Sequence, residues 1–127
     1  MQNLVVIKTA EDLETLNQYL VDKDLISVDT ETTGLSKDAQ VIGYSVCAED
    51  NVGFYVVTTT WNAATDQLER LPTHDLSTNF FQKLVGKSLI MHNAVFDCEK
   101  IRINYGVELM PSLHTDTMAL ADRKSVV

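Results

Sequence analysis

The fold is decided by the stretch Val28-Asp29-Thr30-Glu31-Thr32-Thr33-Gly34-Leu35. It continues an apolar run that predicts a buried strand over residues 25–29. Because side chains alternate across a strand, Asp29 and Glu31 share one face at its carboxyl end, and Gly34 then turns the chain away. Two carboxylates on one face repel each other unless a positive charge lies between them, and a hard divalent cation with oxygen ligands supplies that charge. An exposed pair of acids at a strand end is the alternative interpretation.

The composition indicates one acidic globular domain. The 127 residues fit a single domain, and the 45% of apolar residues suffice for a core. The net charge of −8 argues against a broad basic face for nucleic acid, but it allows a nuclease in which metal ions bring positive charge to an acidic cleft. Cys47 and Cys98 form no metal or redox motif, so we expect both to be buried. The sequence has no apolar leader and no run of about 18 apolar residues, which predicts a cytoplasmic protein without a membrane partner.

Hydrophobic periodicity predicts strands and helices in alternation. The predicted strands cover residues 4–7, 25–29, 41–47, 54–57, 89–91 and 113–115. The predicted helices run from the Thr9 cap to residue 21, from Asp75 or Ser77 to a Gly86 cap, from the Asn93 cap to Gly106, and over 117–122. Residues 58–73 are predicted to form a loop in which Trp61 is partly buried. A hairpin of residues 41–57 followed by strand–helix alternation predicts an α/β fold, in which helices cover a mixed sheet.

A second polar stretch opens the third predicted helix, at Met91-His92-Asn93-Ala94-Val95-Phe96-Asp97. Asn93 and Asp97 are four residues apart, so they are expected to stack on one helix face. If the strand before them lies beside the strand of residues 25–29, the helix starts at the same sheet edge and Asp97 approaches Asp29 and Glu31. The alternative is that an acid in the first turn only offsets the helix dipole.

Together the two stretches resemble the DEDD (DnaQ-like) 3′→5′ exonucleases, which have a ribonuclease H-like fold. The shared pattern is Asp-x-Glu-Thr-x-Gly-Leu at residues 29–35 and Asn-x-x-Phe-Asp at residues 93–97. The segments 104–109 (Asn-Tyr-Gly-Val-Glu-Leu) and 114–120 (His-Thr-Asp-Thr-Met-Ala-Leu) narrow the resemblance to the proofreading exonuclease domain of family A DNA polymerases. The resemblance covers nearly the whole chain. It implies that residues 1–127 form one exonuclease-like domain, which is the N-terminal portion of a polymerase-type exonuclease domain truncated before its third motif.

The resemblance also implies a two-metal mechanism with Mg²⁺ or Mn²⁺, which removes nucleotides from the 3′ end of single-stranded DNA. The implied catalytic residues, which are also the implied metal ligands, are Asp29, Glu31 and Asp97. The implied substrate-binding residues are Thr32 and Leu35, which hold the terminal nucleotide and wedge against its base, and Asn93, which hydrogen-bonds the substrate.

The sequence departs from the family in one respect. The family carries a further acid in a third motif, a Tyr or His followed by Asp on a later helix, and neither Asp116 nor Asp122 matches it. We therefore expect weak or absent hydrolysis by the chain alone, and a polymerase chain or the remainder of the domain as a partner. Two alternatives stay open at this point: a non-catalytic binding or regulatory protein built on a decayed nuclease fold, and a 3′-exonuclease acting on RNA.

Overall fold

The computed structural model describes residues 3–118 and shows strands and helices in alternation. The strands are β1 (Asn3–Ile7), β2 (Leu25–Thr32), β3 (Val41–Glu49), β4 (Val52–Val57), β5 (Thr59–Asn62), β6 (Gln67–Arg70), β7 (Ser88–Met91) and β8 (Leu113–Asp116). The helices are α1 (Ala10–Leu20), α2 (Pro72–Gln82) and α3 (Ala94–Tyr105), with a short 3-10 turn at Met110–Ser112. This order confirms the predicted α/β class.

The main sheet has six strands in the order β1-β4-β3-β2-β7-β8. β3 is antiparallel to both β2 and β4, whereas β1 is parallel to β4, and β7 is parallel to both β2 and β8. The predicted mixed sheet is therefore confirmed. Because β2 lies near the centre beside its parallel neighbour β7, the carboxyl ends of these two strands meet at one edge of the sheet.

One face of the sheet packs against the three helices. Ile26 and Val28 of β2 are buried, and they join a single core cluster to which α1, α2 and α3 all contribute side chains. Residues two apart on a strand share a face, so the alternate residues of β2 point the other way. On that second face Ser27 is half-buried, while Asp29 and Glu31 are exposed. Within residues 3–118 no helix is long and apolar enough to cross a membrane.

Local signals set three of the ends of α1, α2 and α3. The Thr9 hydroxyl accepts a hydrogen bond from the backbone N–H of Asp12 at 3.1 Å, so this predicted N-cap is confirmed. Helix α3 ends at Gly106 as predicted, because Gly106 adopts a left-handed φ of 73° that favours glycine. Both predicted ends of α2 are wrong. The helix begins at Pro72 and not at Asp75 or Ser77, because the fixed φ of proline suits the first helical turn, and it ends at Gln82, four residues before the predicted Gly86 cap. Of the helix predicted over 117–122, only 117–118 lie within the described residues, and both are helical.

The predicted loop at residues 58–73 is wrong, because most of it forms the two-stranded antiparallel hairpin β5–β6. All four residues of β6 are exposed, so this strand lacks the apolar alternation on which a prediction depends. Trp61 is 57% exposed on β5 and is not covered as predicted. The expected burial of the cysteines holds for Cys98 and fails for Cys47, which lies exposed on the second face of the sheet.

Candidate functional site

The strand order brings three acids to one edge of the sheet. β2 and β7 are parallel, with Ser27 opposite Ile90, so both strands end at this edge. Asp29 and Glu31 lie there on β2, on the face away from the core. Helix α3 follows β7 after a two-residue link, and its first turn carries Asp97. Two segments far apart in the sequence therefore place their acids at the same place in the fold.

Asp97 is the acid most affected by its surroundings. Its side chain is 3% exposed; Oδ1 accepts a hydrogen bond from the Thr30 hydroxyl at 2.5 Å, and Oδ2 is buried with no hydrogen-bond partner. Burial raises the pKa of Asp97 to about 6, the Thr30 hydrogen bond opposes this rise, and the negative charge of nearby Asp29 adds to it. The ionised carboxylate is therefore unfavourable in this position unless a cation lies beside it.

Glu31 occupies a different part of the edge. It pairs across the sheet with Gly43, and the ring of Tyr55 lies over this glycine. Burial and then the charge of Glu31 raise the pKa of Tyr55, which places its hydroxyl near that carboxylate. Among residues 3–118, no three His, Cys, Asp or Glu side chains lie close enough together to hold one metal ion. The structure brings Asp29 and Asp97 together, with Glu31 two residues further along the same face of β2.

The chemistry of this set nevertheless fits a hard divalent cation. Such ions take oxygen ligands, and Asp29, Glu31 and Asp97 offer only carboxylate oxygens. The buried Oδ2 of Asp97, which lacks a hydrogen-bond partner, is an oxygen atom that a cation would satisfy. A cation bound between Asp97 and Asp29 would also remove the repulsion that raises the pKa of Asp97.

The structure places the three predicted substrate-binding residues around this edge. Leu35 is 89% exposed in the turn after β2, and the Thr32 hydroxyl donates to the Gly34 carbonyl oxygen at 2.7 Å, so it helps to hold that turn. Asn93 is the N-cap residue of α3, with a φ of 65°, and makes no side-chain capping hydrogen bond. The predicted stacking with Asp97 is not observed, since Asn93 lies outside the helix and is exposed whereas Asp97 is buried.

The capping role at α3 belongs to Asp116 of β8. Its Oδ1 accepts from the backbone N–H groups of Asn93 and Met118, both at 3.0 Å, and its Oδ2 accepts from that of Ala94 at 2.9 Å. A carboxylate at a helix N-terminus satisfies free N–H groups and favours the helix dipole. Asp116 therefore fixes the start of the helix that carries Asp97. The sequence gives no signal for this role, because the cap comes from a strand 22 residues away from Ala94.

Lys100 is a second residue whose role the sequence analysis missed. Its side chain is 4% exposed, and its Nζ donates to the carbonyl oxygens of Ser36, Lys37 and Ala39 at 2.9, 2.9 and 3.1 Å. Three carbonyl acceptors match the three N–H donors of a lysine ammonium group. Lys100 therefore ties helix α3 to the loop that follows Leu35.

Comparisons with known proteins show what the chain as a whole is similar to. A family model described as 3′–5′ exonuclease matches residues 4–124. The solved structures similar to this chain include Escherichia coli RNase D (16% identity, TM-score 0.64, covering 90% of this chain and 27% of that one). They also include Brucella melitensis NrnC bound to pGG, with 15% identity and a TM-score of 0.68, covering 100% of this chain and 55% of that one. A third is NrnC with bound Mg²⁺, with 16% identity and a TM-score of 0.63, covering 100% of this chain and 56% of that one.

The chain thus spans between about a quarter and just over half of the length of these structures. At these identities the likeness is one of fold, and it confirms the predicted ribonuclease H-like architecture. No curated protein matches the chain by sequence.

Proposed function

The chain belongs to the 3′–5′ exonuclease family, and on this basis we propose that it acts in the hydrolysis of the 3′-terminal phosphodiester bond of single-stranded DNA. The family match confirms the resemblance to the DEDD exonucleases. The proposed metal ligands are Asp29, Glu31 and Asp97. We treat residues 1–127 as one exonuclease-like domain, a proposal that the match over residues 4–124 supports.

The observation that carries this proposal is the buried carboxyl group of Asp97 beside Asp29. An acid with a buried oxygen atom that lacks a partner costs the fold free energy, and such a cost is typical of functional sites. Asp29, Glu31 and Asp97 would hold Mg²⁺ or Mn²⁺, and a bound ion would activate water and offset the negative charge that develops on the phosphate and the leaving oxygen. The Thr30 hydroxyl fixes Oδ1 of Asp97, which leaves Oδ2 as the oxygen for the cation.

A groove between the turn after β2 and helix α3 is the proposed site of the terminal nucleotide. It has a volume of about 320 Å³ and lies between the loop after β2, including Leu35, and the face of α3 that carries Phe96. Leu35 is available to contact a base because it is almost fully exposed, and Asn93 is available because its side chain is not used as a helix cap. Lys100 keeps the loop of this groove in place through its three hydrogen bonds. Thr32 contributes by stabilising the turn that presents Leu35.

The nature of the nucleic acid separates two versions of the proposal. Proofreading for a family A DNA polymerase, with a polymerase chain as partner, follows from the sequence resemblance. An RNA substrate is favoured by the similar structures, since E. coli RNase D is described as an exoribonuclease involved in structured RNA processing. Both versions use the same acids and the same groove, and they differ in the sugar of the substrate.

The test compares single-stranded DNA and RNA of the same sequence, labelled at the 5′ end, with Mg²⁺ or Mn²⁺. Because the third motif is missing, we expect at most weak metal-dependent shortening from the 3′ end, and Asp29→Ala should abolish it. Calorimetry should show that the wild-type chain binds Mn²⁺ and that the variant binds it weakly. Faster shortening of RNA would select the exoribonuclease version. Absence of metal binding and of shortening would contradict the proposal and favour the non-catalytic role. Asp24→Asn, which removes an exposed acid next to the start of β2 at the opposite edge of the sheet, is the matched control.

A further inference from the structure

The β5–β6 hairpin begins at the same sheet edge as the candidate site. Gly43 pairs with Glu31 on one side and with Val57, the last residue of β4, on the other. Neighbouring strands lie about 4.8 Å apart, so Val57 lies roughly 10 Å from Glu31 across the sheet. β5 starts at Thr59, only two residues further on. The hairpin therefore extends from the rim at which a nucleic acid strand would approach the acids.

Arg70 fixes the base of this hairpin to the main sheet. Its guanidinium group donates to the carbonyl oxygen of Val41 at 3.0 Å, to the Thr59 hydroxyl at 2.7 Å and to Oε1 of Gln40 at 2.8 Å. Gln40 in turn exchanges two hydrogen bonds of 3.0 Å with Thr33, which belongs to the turn that carries Leu35. The hairpin and that turn are thus held to the same rim through one hydrogen-bond network.

Trp61 and Leu68 form an exposed apolar pair on this hairpin. They lie directly opposite each other, and by strand alternation they share the hairpin face of Thr59 and Arg70. Trp61 is 57% exposed and Leu68 is 41% exposed. A single exposed apolar side chain is ordinary on a protein surface. Here Trp61 lies opposite the apolar Leu68, on a hairpin that Arg70 holds beside the candidate site. Such a ring is a suitable surface for a flat, uncharged partner.

Net charge shows why stacking would matter for this protein. With a net charge of −8, the chain repels the phosphates of a nucleic acid except where a cation or a local basic residue lies. Stacking of a base on an aromatic side chain does not depend on charge and contributes about 1–3 kcal/mol per base. A tryptophan at the rim therefore offers a way to hold a strand that the acidic surface would otherwise repel.

We propose that Trp61, supported by Leu68, is a stacking site for a base of the single-stranded DNA whose 3′ end occupies the groove beside Leu35. The proposal rests on the proposed exonuclease function and extends it to a base upstream of the terminal nucleotide. Arg70 is a positioning residue in this arrangement, because its three hydrogen bonds keep the hairpin at the rim.

The sequence contains one tryptophan, so the intrinsic fluorescence of the protein reports on Trp61 alone. The probe is an oligothymidine of ten nucleotides, titrated with Ca²⁺ in place of Mg²⁺, and its binding is followed separately by the anisotropy of a labelled copy. We expect the oligonucleotide to quench the fluorescence at the same concentrations at which the anisotropy rises. We expect Trp61→Ala to weaken binding by about 5- to 150-fold, which is the stacking contribution expressed as an affinity ratio, and Trp61→Phe to retain most of it.

Two controls separate stacking from damage to the fold. Thymidine monophosphate is too short to reach the hairpin, so Trp61→Ala should leave its affinity unchanged. Val21→Ala removes an exposed apolar side chain from the end of α1, next to the start of β2 at the opposite sheet edge, and should bind the oligonucleotide normally.

The outcomes also distinguish this proposal from the exonuclease function. Oligonucleotide binding without quenching, and with equal affinity in Trp61→Ala, would overturn the stacking site while leaving the exonuclease function intact. Quenching without any metal-dependent shortening would support the stacking site and contradict hydrolysis. If the wild-type chain binds no oligonucleotide, both proposals are wrong.

Discussion

Replacing Asp97 by asparagine should stabilise the metal-free protein at neutral pH. Burial raises the pKa of this carboxyl group from its ordinary value of 3.8 to about 6, and each pKa unit corresponds to about 1.4 kcal/mol. Ionised Asp97 therefore costs the folded state about 3 kcal/mol. Asparagine removes this charge, retains an oxygen that accepts from the Thr30 hydroxyl, and adds an N–H group that can donate to Asp29. The expected gain at about pH 8 is up to 3 kcal/mol.

The raised pKa of Asp97 also fixes the direction in which the stability of the protein changes with pH. The unfolded carboxyl group ionises near pH 3.8 and the folded one near pH 6, so between these values the folded state holds more protons. Stability of the wild-type protein therefore falls as the pH rises through this window and levels off above it. Well below pH 3.8 both states of Asp97 are neutral, so most of the advantage of the Asp97→Asn variant should already be lost at about pH 4.

The assay is urea unfolding followed by circular dichroism, in EDTA, at about pH 8 and about pH 4. Glu99→Gln on the exposed side of the same helix should change the free energy of unfolding by less than about 0.5 kcal/mol. Adding Mg²⁺ at about pH 8 should stabilise the wild-type protein and have little effect on Asp97→Asn. A variant Asp97→Asn that is no more stable than wild type at about pH 8, or whose gain is equal at both pH values, would show that ionised Asp97 does not destabilise the fold.

Three further substitutions test the scaffold, each by urea unfolding. Lys100→Met leaves three loop carbonyl groups without their donor, so it should lower the free energy of unfolding by about 1–3 kcal/mol and speed proteolysis in that loop. Its control, Lys83→Met at an exposed position, should lower the free energy of unfolding by less than about 0.5 kcal/mol. Gly43→Ala places a methyl group against the Tyr55 hydroxyl and 2.8 Å from the Val56 carbonyl oxygen, so the free energy of unfolding should fall by about 1–3 kcal/mol. In the control Gly53→Ala the nearest atom to the new methyl group is 3.7 Å away, so the free energy of unfolding should fall clearly less. Asp116→Ala should cost about 0.5–2 kcal/mol through the lost helix cap but preserve the affinity for Mn²⁺, and a large loss of that affinity would identify it as a ligand instead.

The central strand and the candidate acids were accessible from sequence because they depend on short-range rules. Alternation in β2 places Asp29 and Glu31 on one face whatever surrounds the strand, although the strand runs to Thr32 rather than ending at Asp29. The helix that begins after Asn93 and ends at Gly106 follows from a local pattern with a glycine in the left-handed region. The hairpin β5–β6 escaped prediction, because its second strand is exposed along its whole length and has no apolar periodicity.

The candidate acids could be named from the sequence, because the spacing of Asp29, Glu31 and Asp97 resembles the pattern of the 3′–5′ exonuclease family to which the chain belongs. The surroundings of these acids follow from the tertiary structure only. Asp97 is buried and has a raised pKa, and Asp116 caps the helix that carries Asp97. Burial, hydrogen-bond partners and neighbouring charges come from segments far apart in the chain, such as Thr30 and Asp97, which are 67 residues apart. No local pattern encodes such contacts, because they form only when the sheet order sets which segments meet.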